Sequence, residues 1–514
     1  MVSNFVEKND ALVQRMLEMI PGLLTWALIS SPVWLGIFFP EGIIFLITFF
    51  AVYWAYLAIK STVGIIIGYK NYKFETEVDW WKEVLKLDKS QIPEPERIPY
   101  EITELKHFVL IPIVNEGYEI LKPALDSILY GALPTKNIFL IYTIEEKYAE
   151  QVKATLNRIL EPVKDKFYDI QIYVHPAGIV GEAIGVGGAN RTWGAKHAVE
   201  YLKEKGENLD NFIFSSLDAD HVLHKQYLAR LHHLFVTSDK RDNRFYTTAV
   251  HLFNNNHWRV PFMMRIEANS VTLGGLSDWA VGKRILKDTF AAYSTSLTTL
   301  VDANYWDVAL GVDDSVFYWR MFFVRKGDVL GTPHYVPYSA DAVEAETIGK
   351  SHISLYKQLL RWGWGVITFP LSVKFFLKDT EISLMRKLSW VIRHIERSVI
   401  LINIVFIMTF GFSILTLVNP YIKQSSFAYS IPDILSIILT ITLIFLIPAT
   451  VIRNRFAPEM PKDWPLWRRF FALLEGPLVI LNLLTFSFFP FIEAQTRMLL
   501  GKRMKDLYHT PKIR

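Results

Sequence analysis

The sequence predicts an α/β domain with a parallel β-sheet, set between α-helical segments that cross a membrane. Two observations predict this fold class. Long uncharged apolar segments lie towards both ends of the 514-residue chain, and the residues between them alternate short apolar runs with helical patterns. Such alternation is typical of a parallel sheet that is covered by helices on both faces.

Four apolar segments are long enough to cross the hydrocarbon core of a bilayer, which takes about 20 helical residues. They contain no charged residue and comprise residues 19–40, 42–59, 398–422 and 434–452. A fifth segment, 476–492, contains Pro477 and Pro490. A re-entrant or interfacial arrangement is therefore predicted for it, and a tight double pass by residues 466–492 is the alternative.

The basic residues beside these segments predict their orientation by the positive-inside rule. The connection between the first two segments carries Glu41 but no Lys or Arg, whereas Lys60, Lys70 and Lys73 follow the second segment. The central domain is therefore expected in the cytoplasm. The sequence has no convincing signal peptide and no transit-like leader, so a multi-pass protein of the plasma membrane is predicted.

Composition excludes several classes of protein. The chain has no cysteine, which excludes a disulfide framework, Cys-ligated zinc and thiol catalysis. Its formal net charge is only +4, and no long basic run indicates nucleic acid as a partner. We divide the chain into a transmembrane hairpin (1–75), a linker (76–105), an α/β domain (106–366), interfacial helices (367–398), a C-terminal transmembrane region (399–492) and a basic tail (493–514).

Four apolar runs in the central domain predict buried strands, at residues 107–114, 137–144, 168–175 and 211–218. Helical patterns lie between them, at residues 117–129, 147–160 and 195–205. In sheets of this kind ligands bind at the carboxyl ends of the strands. The polar residues that follow each strand are therefore the first candidates for chemistry.

Acidic residues follow three of the four predicted strands. Glu116 follows the first strand, Glu145 and Glu146 the second, and Asp218 and Asp220 the fourth. Clustered carboxylates repel one another unless a cation joins them, and the Asp-x-Asp spacing suits Mg²⁺ or Mn²⁺ completed by phosphate oxygens and water. A turn or a helix cap is the alternative for a lone Asp-x-Asp sequence. The three acidic clusters together favour the metal site.

Two other features allow two interpretations each. The Gly-rich segment 178–198 contains Arg191 and Lys196 but no P-loop motif. It is either a mobile surface loop or a lid that brings positive charge to a diphosphate. Asp313 and Asp314 precede an aromatic helix, as its cap or, for one of them, as a general base. Four His residues are expected on a solvated helix face, because the oxygen-rich site already suits a hard cation. They are His221, His224, His232 and His233.

The segment QLLRWGWG, residues 358–365, combines groups that neither a core helix nor a solvated helix requires. On a helix, Gln358, Arg361, Trp362 and Gly365 share one face. The residues alone leave open what lies against the amide, guanidinium and indole groups, and Gly365 is expected to allow close approach.

Three motifs occur in order between the membrane segments: Asp218-x-Asp220, Val312-Asp313-Asp314 and Gln358-x-x-Arg361-Trp362. Together they resemble the motifs of the membrane-embedded family 2 glycosyltransferases, which include cellulose, hyaluronan and chitin synthases. The resemblance covers about residues 107–365. It implies a GT-A fold, which is a Rossmann-like nucleotide-sugar domain.

The resemblance also implies a role for each matching residue. Asp218 and Asp220 would hold the nucleotide and a metal-bound diphosphate, with Mg²⁺ or Mn²⁺ as the cofactor. Asp314 would be the catalytic base. Glu145 or Glu146 stands where the family has an Asp that contacts the nucleobase. Val312 replaces the Thr of the family's Thr-Glu-Asp motif, which keeps the base and loses the hydroxyl.

Further substrate-binding residues are implied near the end of the domain and in the tail. Arg361 would neutralise the departing diphosphate, together with Lys196. Trp362 would offer a platform to a sugar face, and Gln358 would hydrogen-bond sugar or acceptor hydroxyls. The tail sequence LYHTPK resembles the family's gating segment. Its Thr510 and Lys512 match that segment, whereas Leu507 and His509 depart from it.

The function implied is an inverting transfer of a sugar from a nucleotide-diphosphate donor, expected to be a UDP-sugar, to a growing polysaccharide that is exported across the membrane. Single addition to a lipid or polyprenyl-phosphate acceptor is the alternative within this class. A nucleotide-sensing transporter without catalysis is the alternative from another class, although transporters usually carry polar or broken helices inside the bilayer. The expected partners are the nucleotide sugar, a glycan or lipid-linked acceptor and membrane lipids, but not nucleic acid.

Overall fold

The computed structural model describes residues 2–99, 101–183, 187–424, 426–502 and 508–513. The chain divides into two compact units. The helical unit comprises Met1–Ile67, Pro261–Val281 and Thr347–Arg503, and the sheet unit comprises Gly68–Val260, Gly282–Glu346 and Met504–Arg514.

The regular elements are numbered here in chain order. The α-helices are α1 (Val2–Lys8), α2 (Asp10–Ile29), α3 (Ser31–Phe38), α4 (Pro40–Glu77), α5 (Trp80–Leu85), α6 (Tyr118–Leu129), α7 (Ala149–Leu160), α8 (Gly187–Glu204), α9 (Tyr227–Val236), α10 (Phe262–Val281), α11 (Leu297–Asp302), α12 (Asp313–Val324), α13 (Ile348–Gly363), α14 (Thr368–Lys378), α15 (Leu384–Ile395), α16 (Leu401–Val418), α17 (Ser426–Phe456), α18 (Leu466–Leu473), α19 (Val479–Leu484) and α20 (Phe489–Leu499). The strands are β1 (Lys106–Ile113), β2 (Ile138–Glu145), β3 (Asp169–His175), β4 (Phe212–Ser216), β5 (Val222–Leu223), β6 (Arg244–Thr248), β7 (His251–Leu252), β8 (Tyr293–Ser296), β9 (Leu330–His334) and β10 (Tyr338–Ser339).

The sheet unit contains a seven-stranded sheet with the strand order β3-β2-β1-β4-β8-β6-β9. Strands β1 to β4 pair in parallel, which confirms the four predicted strands and their direction. Strand β8 pairs antiparallel with β4 and with β6, and β9 pairs in parallel with β6. A second sheet has the order β5-β10-β7. The sheet unit is thus a mixed α/β domain.

The core of the sheet unit forms where the apolar strands meet the apolar faces of the helices. Strand β4 is buried along its whole length, and β2 is buried except at its last residue, because both are nearly continuous apolar runs. Helix α6 turns one stripe to the core, which includes Leu121, Leu125 and Ile128. The segment predicted as a linker also packs into this core, through Trp80 and Leu105 among others.

Among the described residues, five helices are long and apolar enough to cross a membrane, which indicates a membrane protein. They span Asp10–Ile29, Pro40–Glu77, Leu384–Val418, Leu435–Phe456 and Gly476–Leu499. The first begins earlier than the predicted segment 19–40, because α2 starts at Asp10 and ends at Ile29. The last is not one straight helix, since α19 ends at Leu484 and α20 begins at Phe489.

Candidate active site

Asp218 and Asp220 lie in a turn directly after β4. The His221 N–H donates to the Asp218 carbonyl oxygen at 3.1 Å, which closes the turn. Asp220 is buried, and its Oδ2 accepts a hydrogen bond from the Asp341 N–H at 2.8 Å. The second aspartate of the motif is therefore fixed by backbone that follows β10.

Arg191 joins the aspartates of two separate sequence motifs. Its side chain is only 9% exposed. Its Nη2 donates to Asp218 Oδ1 at 2.6 Å, while its Nη1 donates to Asp313 Oδ2 and lies 3.6 Å from Asp314 Oδ1. Because a single guanidinium contacts both motifs, the Asp-x-Asp turn and the start of α12 belong to one site.

The prediction of a mobile loop or lid is wrong for residues 187–198, which belong to α8. Gly188 allows α8 to pack closely against residues 307 and 313, and it does not mark a loop. A Cβ on Gly188 would lie 2.8 Å from the Asp307 carbonyl oxygen and 3.0 Å from Asp313 Cβ. A side chain at this position would therefore push α8 away from the first residue of α12. Residues 184–186 of the same segment lie outside the described residues.

The helix-cap interpretation of Asp313 and Asp314 is also corrected. Helix α12 begins at Asp313 itself, and no side-chain cap is formed at Val312. Both carboxylates lie in the first turn, where the positive end of the helix dipole stabilises negative charge. The carboxylate of Asp313 accepts a hydrogen bond from Arg191 instead of from a backbone N–H of the helix.

The charged groups at this site carry an excess of negative charge. The carboxylates are Asp218, Asp220, Asp313 and Asp314, and the cations that contact them are Arg191 and Lys512. Burial disfavours a charged Arg191, but attraction by the aspartates outweighs it and raises its pKa well above the usual value. Burial lowers the pKa of His221, so this imidazole adds no positive charge at pH 7. An excess of carboxylates of this kind favours a divalent cation at the site.

The chemistry of the donor set fits such an ion. Side-chain atoms of Asp218, Asp220 and His221 lie within 4.8 Å of one another. His221 Nδ1 accepts a hydrogen bond from the Asp218 N–H at 3.1 Å, so the neutral ring carries its proton on Nε2. This N–H lies 3.7 Å from Asp218 Oδ2. The two aspartates are therefore the residues that could hold Mg²⁺ or Mn²⁺, and His221 hydrogen-bonds the backbone N–H of the first of them.

The expectation of a solvated helix face is wrong for three of the four His residues. His224 precedes α9 and lies on no helix. His221 lies in the turn and is buried, and His232 on α9 is also buried. His232 Nδ1 lies 3.2 Å from His107 Nε2, and its Nε2 lies 3.1 Å from the Ile102 carbonyl oxygen. His232 is therefore a hydrogen-bonded core residue.

Glu145 and Glu146 lie at the carboxyl end of β2, beside the end of β3. His175 Nδ1 lies 3.1 Å from Glu145 Oε2, and its Nε2 lies 2.8 Å from Glu182 Oε2. Burial would lower the pKa of His175, but these two carboxylates outweigh it and raise the pKa above 6.5. Glu146 Oε2 accepts a hydrogen bond from the Ala177 N–H at 2.8 Å. Both predicted carboxylates thus hold the segment that follows β3.

Two tail residues, Lys512 and His509, contact carboxylates that follow β4 and β1. Lys512 forms an ion pair with Asp220, and His509 Nε2 lies 3.9 Å from Glu116 Oε1. The Thr510 hydroxyl is buried and has no hydrogen-bond partner among the described residues. Leu507, the other departure from the gating pattern, lies outside the described residues.

Lys196 is placed differently from Arg191, although both belong to α8. Lys196 lies five positions after Arg191, which corresponds to roughly 140° around a helix. Lys196 is exposed, and its Nζ lies 5.6 Å from the centre of the Tyr305 ring. The structure therefore does not bring Lys196 to the aspartates that Arg191 contacts.

Gln358, Arg361 and Trp362 lie on α13, which belongs to the helical unit. All three side chains are half-buried. Their substrate-binding roles stay predictions.

The buried stripe of α13 packs against α20, and a glycine permits the close approach. A Cβ on Gly363 would lie 3.0 Å from Ala494 Cβ and 3.3 Å from the Pro490 carbonyl oxygen. At Gly365, which was expected to allow close approach on the face that Gln358, Arg361 and Trp362 share, a Cβ would meet no atom within 4 Å. The glycine that this helix pair requires is therefore Gly363.

Comparison with known proteins gives no family assignment. No family model matches the chain, and no curated protein matches it. The solved structures that resemble it include the mannosyltransferase PcManGT from Pyrobaculum calidifontis in complex with GDP-Man and Mn²⁺, at 12% identity and a TM-score of 0.40, over 86% of this chain and 100% of that one. Another is residues 1–349 of S. aureus TarS, at 13% identity and a TM-score of 0.34, over 77% of this chain and 92% of that one. Likeness at these scores establishes neither the fold family nor the activity.

Proposed function

We propose that this protein is a membrane-bound glycosyltransferase that uses a nucleoside-diphosphate sugar. One observation carries the proposal, which is the contact of Arg191 with both Asp218 and Asp314. It supports a single site in which a metal-binding motif faces a basic carboxylate. The order of the motifs, their resemblance to family 2 enzymes and the candidate membrane helices support the same function.

In the proposed reaction, Asp314 accepts the proton of the acceptor hydroxyl. As the proton leaves, the acceptor oxygen bonds to the anomeric carbon, and the bond from that carbon to the diphosphate oxygen breaks. One displacement of this kind inverts the anomeric centre. Arg191 Nη1 lies 3.6 Å from Asp314 Oδ1, and a nearby positive charge favours the ionised form of a carboxylate.

The leaving diphosphate needs positive charge in the transition state. Asp218 and Asp220 would hold Mg²⁺ or Mn²⁺, which supplies that charge when bound. Arg361 is proposed to contribute further charge. Lys196 is also proposed to approach the diphosphate, although its side chain lies away from the aspartates.

The proposed donor is a UDP-sugar, with Glu145 or Glu146 accepting a hydrogen bond from the base. Thr510 is proposed to contact the donor through its buried hydroxyl. Trp362 would stack on a sugar, and Gln358 would bind hydroxyl groups. A growing polysaccharide that is exported is the proposed acceptor, since the motif with Trp362 occurs in synthases. The plasma membrane and a cytoplasmic sheet unit belong to the same proposal, together with a GT-A fold.

The variant Asp314→Asn tests the base. It should abolish transfer of labelled sugar while donor binding is retained, because the amide cannot accept the proton but keeps the shape of the side chain. Asp302→Asn is the matched control, since Asp302 is paired with Arg325 at 2.8 Å and should tolerate the change. Normal turnover by Asp314→Asn would show that the base is wrongly assigned.

Sizing the labelled products of isolated membranes tests the acceptor. Long glycans support a polysaccharide synthase, whereas one sugar on an extractable lipid supports single addition. Donor binding without any release of free nucleotide contradicts the enzyme and favours a nucleotide-sensing transporter.

A further inference from the structure

The two oxygens of the Asp220 carboxylate have different partners. Oδ2 accepts the hydrogen bond from the Asp341 N–H at 2.8 Å. Oδ1 pairs with the ammonium of Lys512. Both side chains are shielded from solvent, at 19% exposure for Lys512 and 5% for Asp220. The ammonium of Lys512 therefore occupies Oδ1, the Asp220 oxygen that the Asp341 N–H does not contact.

Further contacts hold the tail where Lys512 can make this pair. The Ile513 carbonyl oxygen accepts a hydrogen bond from Arg259 Nη2 at 3.1 Å, and Arg259 in turn pairs with Glu344 at 3.1 Å. On the other side of Lys512, His509 lies near Glu116. The tail is thus attached on both sides of the ammonium, which makes the pair with Asp220 part of a docked segment.

We propose that Lys512 competes with the divalent ion for Asp220 Oδ1, so that tail docking and metal binding exclude each other. This inference rests on the metal site of the proposed function. It adds that the tail of the same chain controls metal binding at that site. Mg²⁺ and Mn²⁺ need oxygen ligands at about 2.0–2.2 Å, and an ammonium in contact with the same oxygen would face the ion at close range. Like charges at that distance repel strongly.

The competition gives Lys512 two alternative partners. Without donor, its ammonium balances Asp220. When a donor diphosphate and the metal ion occupy the site, the released ammonium can pair with the diphosphate, which is the other anion present. The apparent affinity for the metal alone is then lowered by the fraction of molecules whose tail is docked.

Mn²⁺ titration of the full-length protein in detergent, without donor, measures this effect. Free Mn²⁺ is followed by electron paramagnetic resonance. If about nine-tenths of the molecules hold the tail docked, Lys512→Gln should bind Mn²⁺ about tenfold more tightly than the wild type. Lys240→Gln is the matched control, since it removes the same charge from an exposed pair with Asp328 and should leave the affinity unchanged.

A second measurement follows the tail directly. Because the chain has no cysteine, Thr510→Cys introduces one thiol at a buried position. Its rate of labelling by a maleimide should rise as Mn²⁺ is added, and Asp220→Asn in the same background should abolish that dependence on Mn²⁺. Equal Mn²⁺ affinity of Lys512→Gln and the wild type, or labelling that Mn²⁺ does not accelerate, overturns the inference. Neither readout requires sugar transfer. Competition without transfer would overturn the proposed function alone, and transfer without competition would overturn the inference alone.

Discussion

Replacing Arg191 with methionine should destabilise the sheet unit as well as abolish transfer. The guanidinium is 9% exposed and contacts Asp218 at 2.6 Å and Asp314 at 3.6 Å. Its removal leaves three carboxylates in one site without their shared cation. Loss of one partner from a buried ion pair costs about 3–5 kcal/mol. At roughly 2 °C per kcal/mol for a unit of this size, the melting temperature should fall by roughly 6–10 °C.

Thermal unfolding in detergent, followed by Trp fluorescence, measures this change. Arg320→Met is the control, because Arg320 donates to the carbonyl oxygens of Ala303 and Asn304 at 3.0 Å and pairs with a single carboxylate, that of Asp307 at 3.7 Å, instead of three. Adding Asp313→Asn to Arg191→Met removes one of the uncompensated charges and should restore part of the loss. The reasoning fails if Arg191→Met melts with the wild type, or if the second change gives no recovery.

Two further predictions concern the packing and the pH response of the sheet unit. Gly194→Ala should lower the free energy of unfolding by about 1–3 kcal/mol through overpacking, because its Cβ would lie 2.0 Å from Thr143 Cγ2. Adding Thr143→Ser should restore part of the melting temperature. An unchanged melting temperature for Gly194→Ala would contradict the contact. The folded pKa of His175 is raised above 6.5 by Glu145 and Glu182 against the effect of burial, so its stabilisation is complete below pH 6.5 and is lost as pH rises through the folded pKa. The melting advantage of the wild type over His175→Gln should therefore shrink above pH 6.5, and a constant advantage would contradict the assignment.

Local patterns in the sequence were sufficient for the parallel half of the sheet. The runs that became β1, β2 and β4 are apolar enough to be buried on both faces, and helical periodicity separates them. Strands β6, β8 and β9 were not predicted. Strand β8 has the sequence Tyr293–Ser296, whose polar side chains are buried only because β4 and β6 flank it. Ser294, for example, has its hydroxyl 2.8 Å from that of Ser215.

The position of Arg191 shows what was overlooked and what signal was present. The buried residues Ala195, Ala198 and Leu202 on α8 recur at helical spacing. The same spacing continues back to Arg191 and Gly188. The glycines of this segment suggested a loop, but Gly188 instead allows α8 to pack closely against the start of α12. Only the packing of α8 against Asp313 distinguishes these two uses of the residue.

The sequence by itself determined that the chain has long apolar helices, where the apolar strands lie and the order of the acidic motifs, because these depend on local composition and periodicity. The tertiary structure alone decided which cation meets which carboxylate. Arg191 lies 122 positions from Asp313, and Lys512 lies 292 positions from Asp220. Ion pairs across such separations depend on how the sheet and its helices pack, since Coulomb energy follows distance in space and not position along the chain.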